Sequence, residues 1–410
     1  MPLPQKYANQ SVAIRQRRRN FDCSAHDLKV RFASYFVRFA ILCLDKAGCN
    51  DSFVQIKSKT MSENLNYDRR RFLGTAAITL AAGPLGMLGS ASAASGKTNP
   101  ASTKTGNHGP HSSFGLLKQI DAGLLNVGYA ESGPADGTPV ILLHGWPYDI
   151  HSYVDVATLL AAKGYRVIVP YNRGYGTTTF LSADTFRNAQ QSVVALDTIA
   201  LMDALKIKQA IIGGFDWGAR TVNVMATLWP ERCKAIVSVG GYLISTPEGN
   251  QVPWPPEPAF LFWYQYYFTT PVGKAGYAKY LDQFNKFIWH QASPKWNFDD
   301  ATYDRTAAAF NNPDHVDIVM HDYRWRLGLA EGERKYDDLE KRLAGFPAIT
   351  VPTITMEGDA NGAIHAPSTA YRDRFSGKYE YRLITGGVGH NLPQEAPKDF
   401  AQAVIDAGGL

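Results

Sequence analysis

From Leu125 onward the hydrophobic positions fall into two alternating rhythms. Leu125–Ala130 alternates apolar and polar residues as a half-buried strand does. Pro139–Leu143, Arg166–Pro170, Ala210–Gly213 and Ala235–Val239 are short apolar runs, as in strands covered on both faces. Between them, Ser192–Leu205 and Ala219–Trp229 space apolar residues three and four apart, which predicts helices. The rhythm stops near residue 245 and resumes at Val351–Met356 and Tyr379–Ile384. The pattern predicts an α/β fold with a mostly parallel sheet, built from residues 114–244 and 341–410 and interrupted by a helical cap over 245–340. That insertion holds 20 of the chain's 49 aromatic residues. This is more than a small helical layer needs for its own core, so some are expected to line a pocket.

The first hundred residues follow neither rhythm. Asp68-Arg69-Arg70-Arg71-Phe72-Leu73-Gly74 resembles a twin-arginine export motif. A weakly apolar stretch from Thr75 to Gly89 follows, and then the small-residue pattern Ala91-Ser92-Ala93. These are the parts of a signal peptide in order, so residues 61–93 are expected to direct export to the periplasm or beyond. Residues 1–60 are expected to be an upstream extension outside the mature protein, and 94–113, rich in small polar residues, a linker. Charge follows the same division, with +7 over 1–60, +2 over 61–98 and −4 over the rest. A mildly acidic body argues against a nucleic-acid partner. No stretch of the body has the roughly 18 uninterrupted apolar residues of a membrane span, so no stable membrane insertion is expected once the signal is removed. Of Cys23, Cys43, Cys49 and Cys233, only Cys233 lies in the body, which leaves it without an internal disulfide partner.

Chemistry concentrates at the turns. Gly213-Gly214-Phe215-Asp216-Trp217-Gly218 joins an apolar strand to a helix. Gly214 and Gly218 stand two residues before and after Asp216, the spacing of a turn so sharp that larger side chains would clash. This Gly-Phe-Asp-Trp-Gly string resembles the nucleophile elbow of epoxide hydrolases and haloalkane dehalogenases, the branch of the α/β-hydrolase fold with Asp as nucleophile. The resemblance covers roughly residues 114–410. It implies that Asp216 attacks a saturated carbon and that water then cleaves the resulting ester. His144-Gly145-Trp146-Pro147 resembles the His-Gly-x-Pro motif of epoxide hydrolases. By that resemblance the N–H groups of Trp146 and Trp217 form an oxyanion hole, His144 braces the loop with Gly145, and Pro147 is in the cis form. Arg173-Gly174-Tyr175-Gly176 matches a further family segment and is given a structural role.

The base is expected late in the chain. Gly389-His390-Asn391-Leu392-Pro393 looks like the family's histidine loop, which favours His390 over its rival His365. Asp359, at the end of the strand from Val351, fits the orienting acid, and Glu357, still within that strand, is the alternative. Two cap segments resemble those that carry the substrate-facing tyrosines of epoxide hydrolases, and they map to Tyr264 and Tyr323. Tyr266 or Tyr267 could replace the first. A phenol can donate to the oxygen of an opening epoxide. The expected reaction opens a small, apolar epoxide to a diol without metal or organic cofactor. Haloalkane dehalogenation by the same Asp, with Trp263 and Trp289 available in the cap, and non-catalytic binding on the same fold remain alternatives.

Overall fold

The computed structural model describes residues 113–410. The expected extension, the export signal and all but the last linker residue lie outside the described residues. Nine strands form one sheet: β1 Lys118–Ala122, β2 Leu125–Ser132, β3 Pro139–Leu143, β4 Arg166–Pro170, β5 Thr179–Phe180, β6 Ala210–Gly214, β7 Cys233–Val239, β8 Thr353–Gly358 and β9 Tyr379–Ile384. The order is β1-β2-β4-β3-β6-β7-β8-β9, with β5 beside β2. The pairs made by β2 are antiparallel, and every pair from β4-β3 to β8-β9 is parallel.

The unbroken apolar runs occupy the middle of this sheet because both faces are covered. Val140 and Leu142 of β3 pack to one side, with Val156 and Leu160 of α1 (Val154–Ala161) and Phe400 of the C-terminal helix Pro397–Gly409. Ile141 and Leu143 pack to the other, with Met202 of α2 (Gln191–Ala204) and Val222 of α3 (Trp217–Leu228). All four of these β3 side chains are fully buried. Each contributes roughly 1.5–3 kcal/mol of transfer free energy, which makes the strand ends a rigid platform.

Between β7 and β8 the chain is helical. It runs through α4 Pro256–Leu261, α5 Trp263–Tyr267, α6 Pro271–Lys279, α7 Leu281–Ala292, α8 Asp300–Ala307, α9 His315–Arg326 and α10 Asp337–Ala344. The expected boundary at 340 cuts through α10, which packs on the sheet domain. Its Leu343 joins the core beside α3, and Glu340 accepts hydrogen bonds from the backbone N–H and hydroxyl of Ser192. The insertion therefore ends before α10. Another difference lies at β8, which was expected from Val351 but begins at Thr353. Pro352 has no N–H to give the ladder, and its carbonyl accepts from Ile236 instead. Among the described residues, no helix is long and apolar enough to cross a membrane.

Candidate active site

The turn after β6 sets Asp216 in a strained conformation, φ 54° and ψ −123°, at the head of α3. The turn can close only over glycines. A Cβ on Gly218 would lie 1.9 Å from the carbonyl oxygen of Leu143, and one on Gly214 would lie 2.5 Å from the backbone of Gly218. Strain of this kind costs of order 1–3 kcal/mol and here exposes one carboxylate to a cavity. The two oxygens of Asp216 face different partners. Oδ1 accepts from the Trp146 N–H at 2.7 Å, while Oδ2 lies 3.3 Å from Nε2 of His390. The Trp217 N–H adds to the stabilisation of the carboxylate. Burial works to raise the Asp216 pKa. The His390 contact and the two N–H donors outweigh it and hold the carboxyl below its ordinary value.

The loop that supplies Trp146 is clamped from both sides. His144 accepts from the N–H of Asn172 at 3.1 Å, and its Nδ1 faces the Gly145 carbonyl at 3.0 Å. Burial depresses its pKa and keeps it neutral, which fits a brace and not a base. The Trp146 indole donates to Tyr277, and the Trp289 indole donates to the carbonyl of Pro147 across a cis Trp146–Pro147 bond. Gly145 passes so close to the nucleophile that a Cβ there would meet Oδ1 at 2.4 Å. Arg173 makes a two-pronged ion pair with Asp197 at 2.6 Å for each contact, which ties the Arg173–Gly176 segment to α2.

Tyr264 on α5 and Tyr323 on α9 line the same cavity as Asp216 and His390, and their ring centroids lie 5.5 Å apart. Burial is the main cause raising both phenols, and the Asp216 charge adds to it, so both remain protonated donors. Tyr266 is 45% exposed, and neither it nor Tyr267 lines the cavity. The cavity has a volume of about 460 Å³. Apolar side chains such as Phe262 and Ile288 are part of its lining, but so are Arg220 and Arg326.

Asp359 is not in this constellation, and its assignment as the orienting acid is corrected. Its carboxylate is exposed and accepts from the N–H groups of Gly386, Gly387 and Val388 at 3.1, 2.8 and 3.0 Å. It therefore shapes the turn that leads into His390 and does not touch the imidazole. The position beside Nδ1 of His390 belongs to Asn361, whose Oδ1 lies 3.1 Å away. Asn361 Nδ2 donates to Oε1 of Glu357 at 2.7 Å, and Oε2 of Glu357 lies 2.7 Å from Nδ1 of His365. The Glu357 carboxylate fixes which way the amide points. With Nδ2 toward Glu357, Oδ1 must face His390, and Nδ1 of His390 must carry the proton. Burial opposes the charge on Glu357, but His365 and Asn361 hold its pKa below the usual value.

The chain pattern contained some of what was missed. Arg220 follows Asp216 by four residues and Arg326 follows Tyr323 by three, so each shares a helix face with a predicted site residue. Asn361 had no such signal, because an amide in a loop is usually a turn former.

The known proteins that this chain resembles agree with the fold. The α/β hydrolase fold family model matches residues 138–320. The crystal structure of an inferred epoxide hydrolase from Klebsiella pneumoniae superposes with a TM-score of 0.71 at 60% identity, covering 72% of this chain and 97% of that one. Epoxide hydrolase A of Mycobacterium tuberculosis is 25% identical over 316 residues, which is 70% of this chain and 95% of the relative. Epoxide hydrolase B of the same organism is 33% identical over 111 residues, so the match spans 27% of this chain and 31% of that relative's length. Fold, motif order and these likenesses together make the chain a member of the α/β-hydrolase family, an epoxide hydrolase-like enzyme.

Proposed function

We propose that the enzyme opens an epoxide with water through an ester on Asp216. The observation that carries this reading is the division of labour between the oxygens of Asp216. Oδ1 accepts from the Trp146 N–H, and Oδ2 faces the cavity beside His390. In the first step Oδ2 attacks an epoxide carbon. The C–O bond to that carbon breaks, and Tyr264 and Tyr323 donate to the departing oxygen, which takes a proton from one of them and leaves a tyrosinate. In the second step Nε2 of His390 removes a proton from water as the water attacks Cγ of Asp216. The oxyanion that forms on Oδ1 stays with Trp146 and Trp217, which are worth about 3–4 kcal/mol per donor to the transition state. Collapse breaks the Cγ–Oδ2 bond; the leaving alkoxide takes the proton held by His390, the proton of the new hydroxyl on Cγ returns to the tyrosinate, and the diol departs with the original Oδ2. Asn361, backed by Glu357, presents an acceptor to Nδ1 of the imidazolium.

His390→Gln should form the ester and fail to hydrolyse it, adding the mass of styrene oxide to the peptide containing Asp216. Labelling that survives Asp216→Ala would sink the assignment. A second reading, alkyl halide hydrolysis, is favoured by one feature: the Trp217 indole N–H is buried without a hydrogen-bond partner on a cavity-lining residue, as a halide donor would be. Parallel assays on styrene oxide and 1-bromobutane separate the two. The proposal also includes export by the twin-arginine route, directed by residues 61–93. Replacing Arg69 and Arg70 by Lys should retain the protein in the cytoplasm, and unchanged export would exclude that route.

A further inference from the structure

The cavity above Asp216 carries positive charge that the proposed reaction does not use. Arg220 and Arg326 both line it. Nη1 of Arg220 donates to the Leu243 carbonyl and the Ser245 hydroxyl, while its Nε is buried without a partner. Arg326 lies with its guanidinium 5.4 Å from the Tyr323 ring centroid. Its countercharge is Asp322, 3.6 Å away, and its Nε also lacks a partner. Two guanidiniums thus face two carboxylates, Asp322 and the nucleophile Asp216, whose charges both act on them. Burial and the neighbouring Arg326 lower Arg220 to about 9, so it keeps its charge at neutral pH. Burial raises Asp322 to about 6, so the countercharge is the weaker party. Ester formation on Asp216 would remove one of these two negative charges and leave the pair with Asp322 alone; a buried charge left without its partner is costly, and a carboxylate on the substrate would restore the balance.

We infer that Arg220 and Arg326 form a subsite for a carboxylate on the substrate. The inference rests on the epoxide reading and names the substrate class, an epoxide that bears a carboxylate on an apolar frame. Guanidinium forks match the flat, two-oxygen geometry of a carboxylate. The pair also resolves an electrostatic conflict. An anionic substrate approaching an anionic nucleophile is repelled, and two cations beside Asp216 offset that repulsion. Tying the loop after β7 accounts for only one nitrogen of Arg220. It does not account for Arg326, nor for the two unpartnered Nε groups.

The test uses the full-length enzyme. Titration calorimetry should show 3-phenylpropionate binding at least ten-fold more tightly than 3-phenylpropionamide, which has the same frame without the charge. The gap should fall below three-fold in Arg326→Gln and be largely retained in Arg326→Lys. In turnover, trans-3-phenylglycidate should exceed its amide in kcat/KM by at least ten-fold, and Arg326→Gln should collapse that ratio. Equal binding of the two phenylpropionyl analogues by the wild-type enzyme overturns the subsite, whatever reaction the enzyme performs. Preferential carboxylate binding without turnover of either epoxide upholds the subsite and overturns the epoxide reading instead.

Discussion

Replacing Glu357 by Gln removes one negative charge lying two hydrogen bonds behind His390. An acceptor for Asn361 Nδ2 remains, so the amide and the histidine tautomer can stay as they are. What changes is the field at the imidazolium that the proposed ester hydrolysis forms. A unit charge at roughly 6–7 Å in an effective dielectric of about 20 is worth ~2.5 kcal/mol, or a factor of roughly 70 in rate. Ester formation develops no charge on His390 and should change by less than about threefold. The assay is a rapid-quench single turnover with styrene oxide, following the mass of the peptide that contains Asp216. In Glu357→Gln the ester should accumulate and decay about 50–100 times more slowly than in the wild type. Asp359→Asn should loosen the turn at Gly386–Val388 without accumulating ester. Decay of the ester in Glu357→Gln within twofold of the wild-type rate would refute the relay, as would accumulation in Asp359→Asn.

Three further outcomes are expected. Gly145→Ala places a methyl group against Asp216 and should lower the rate of ester formation by ~10²–10³, comparable to losing an oxyanion donor, while circular dichroism stays native. Gly218→Ala drives a Cβ into the Leu143 carbonyl, so its thermal midpoint should fall well below the wild type or the protein should fail to fold; an unchanged midpoint contradicts the tight elbow. Asp322, raised by burial to about 6 against 3.8 in the unfolded chain, holds a proton in the folded state that the unfolded state has released. Its contribution of about 3 kcal/mol is present below pH 4 and lost as pH rises through 6. Asp322→Asn should remove that decline from urea-unfolding curves taken across pH 4–7, and parallel pH profiles for the two proteins would exclude it.

The sheet was legible where both faces are buried. Val140–Leu143 and Ile211–Ile212 have no polar side chain facing solvent, so their runs are unambiguous. By contrast β1, Lys118–Ala122, carries no strand pattern in the sequence, because its burial is confined to one residue and part of another. An edge strand next to an antiparallel partner needs little apolar surface. Asp216 and His390 were legible because each sits in a turn whose neighbours are restricted in kind: glycines two residues either side of Asp216, and Gly389 and Pro393 around His390. The orienting group was not legible. A carboxylate at a strand end points to Asp359, while the structure puts the Asn361 amide beside the imidazole and the Glu357 carboxylate behind it. Three residues separate Glu357 from Asn361 at the end of β8, and no periodicity connects them. The arginine subsite was missed for another reason. Helical spacing from Asp216 and Tyr323 was available, but an aromatic-rich cap suggested an apolar pocket.

Because Oδ1 of Asp216 is pinned by the Trp146 N–H in the resting enzyme, the two oxygens have separate fates under the proposed chemistry. Each cycle sends the cavity-facing atom out with the diol and refills that place from water, while its twin stays behind. After many cycles in ¹⁸O water the aspartate should hold one heavy oxygen and one original oxygen. A carboxylate that flipped between cycles would hold two, so the isotope pattern reports how firmly the backbone grips it.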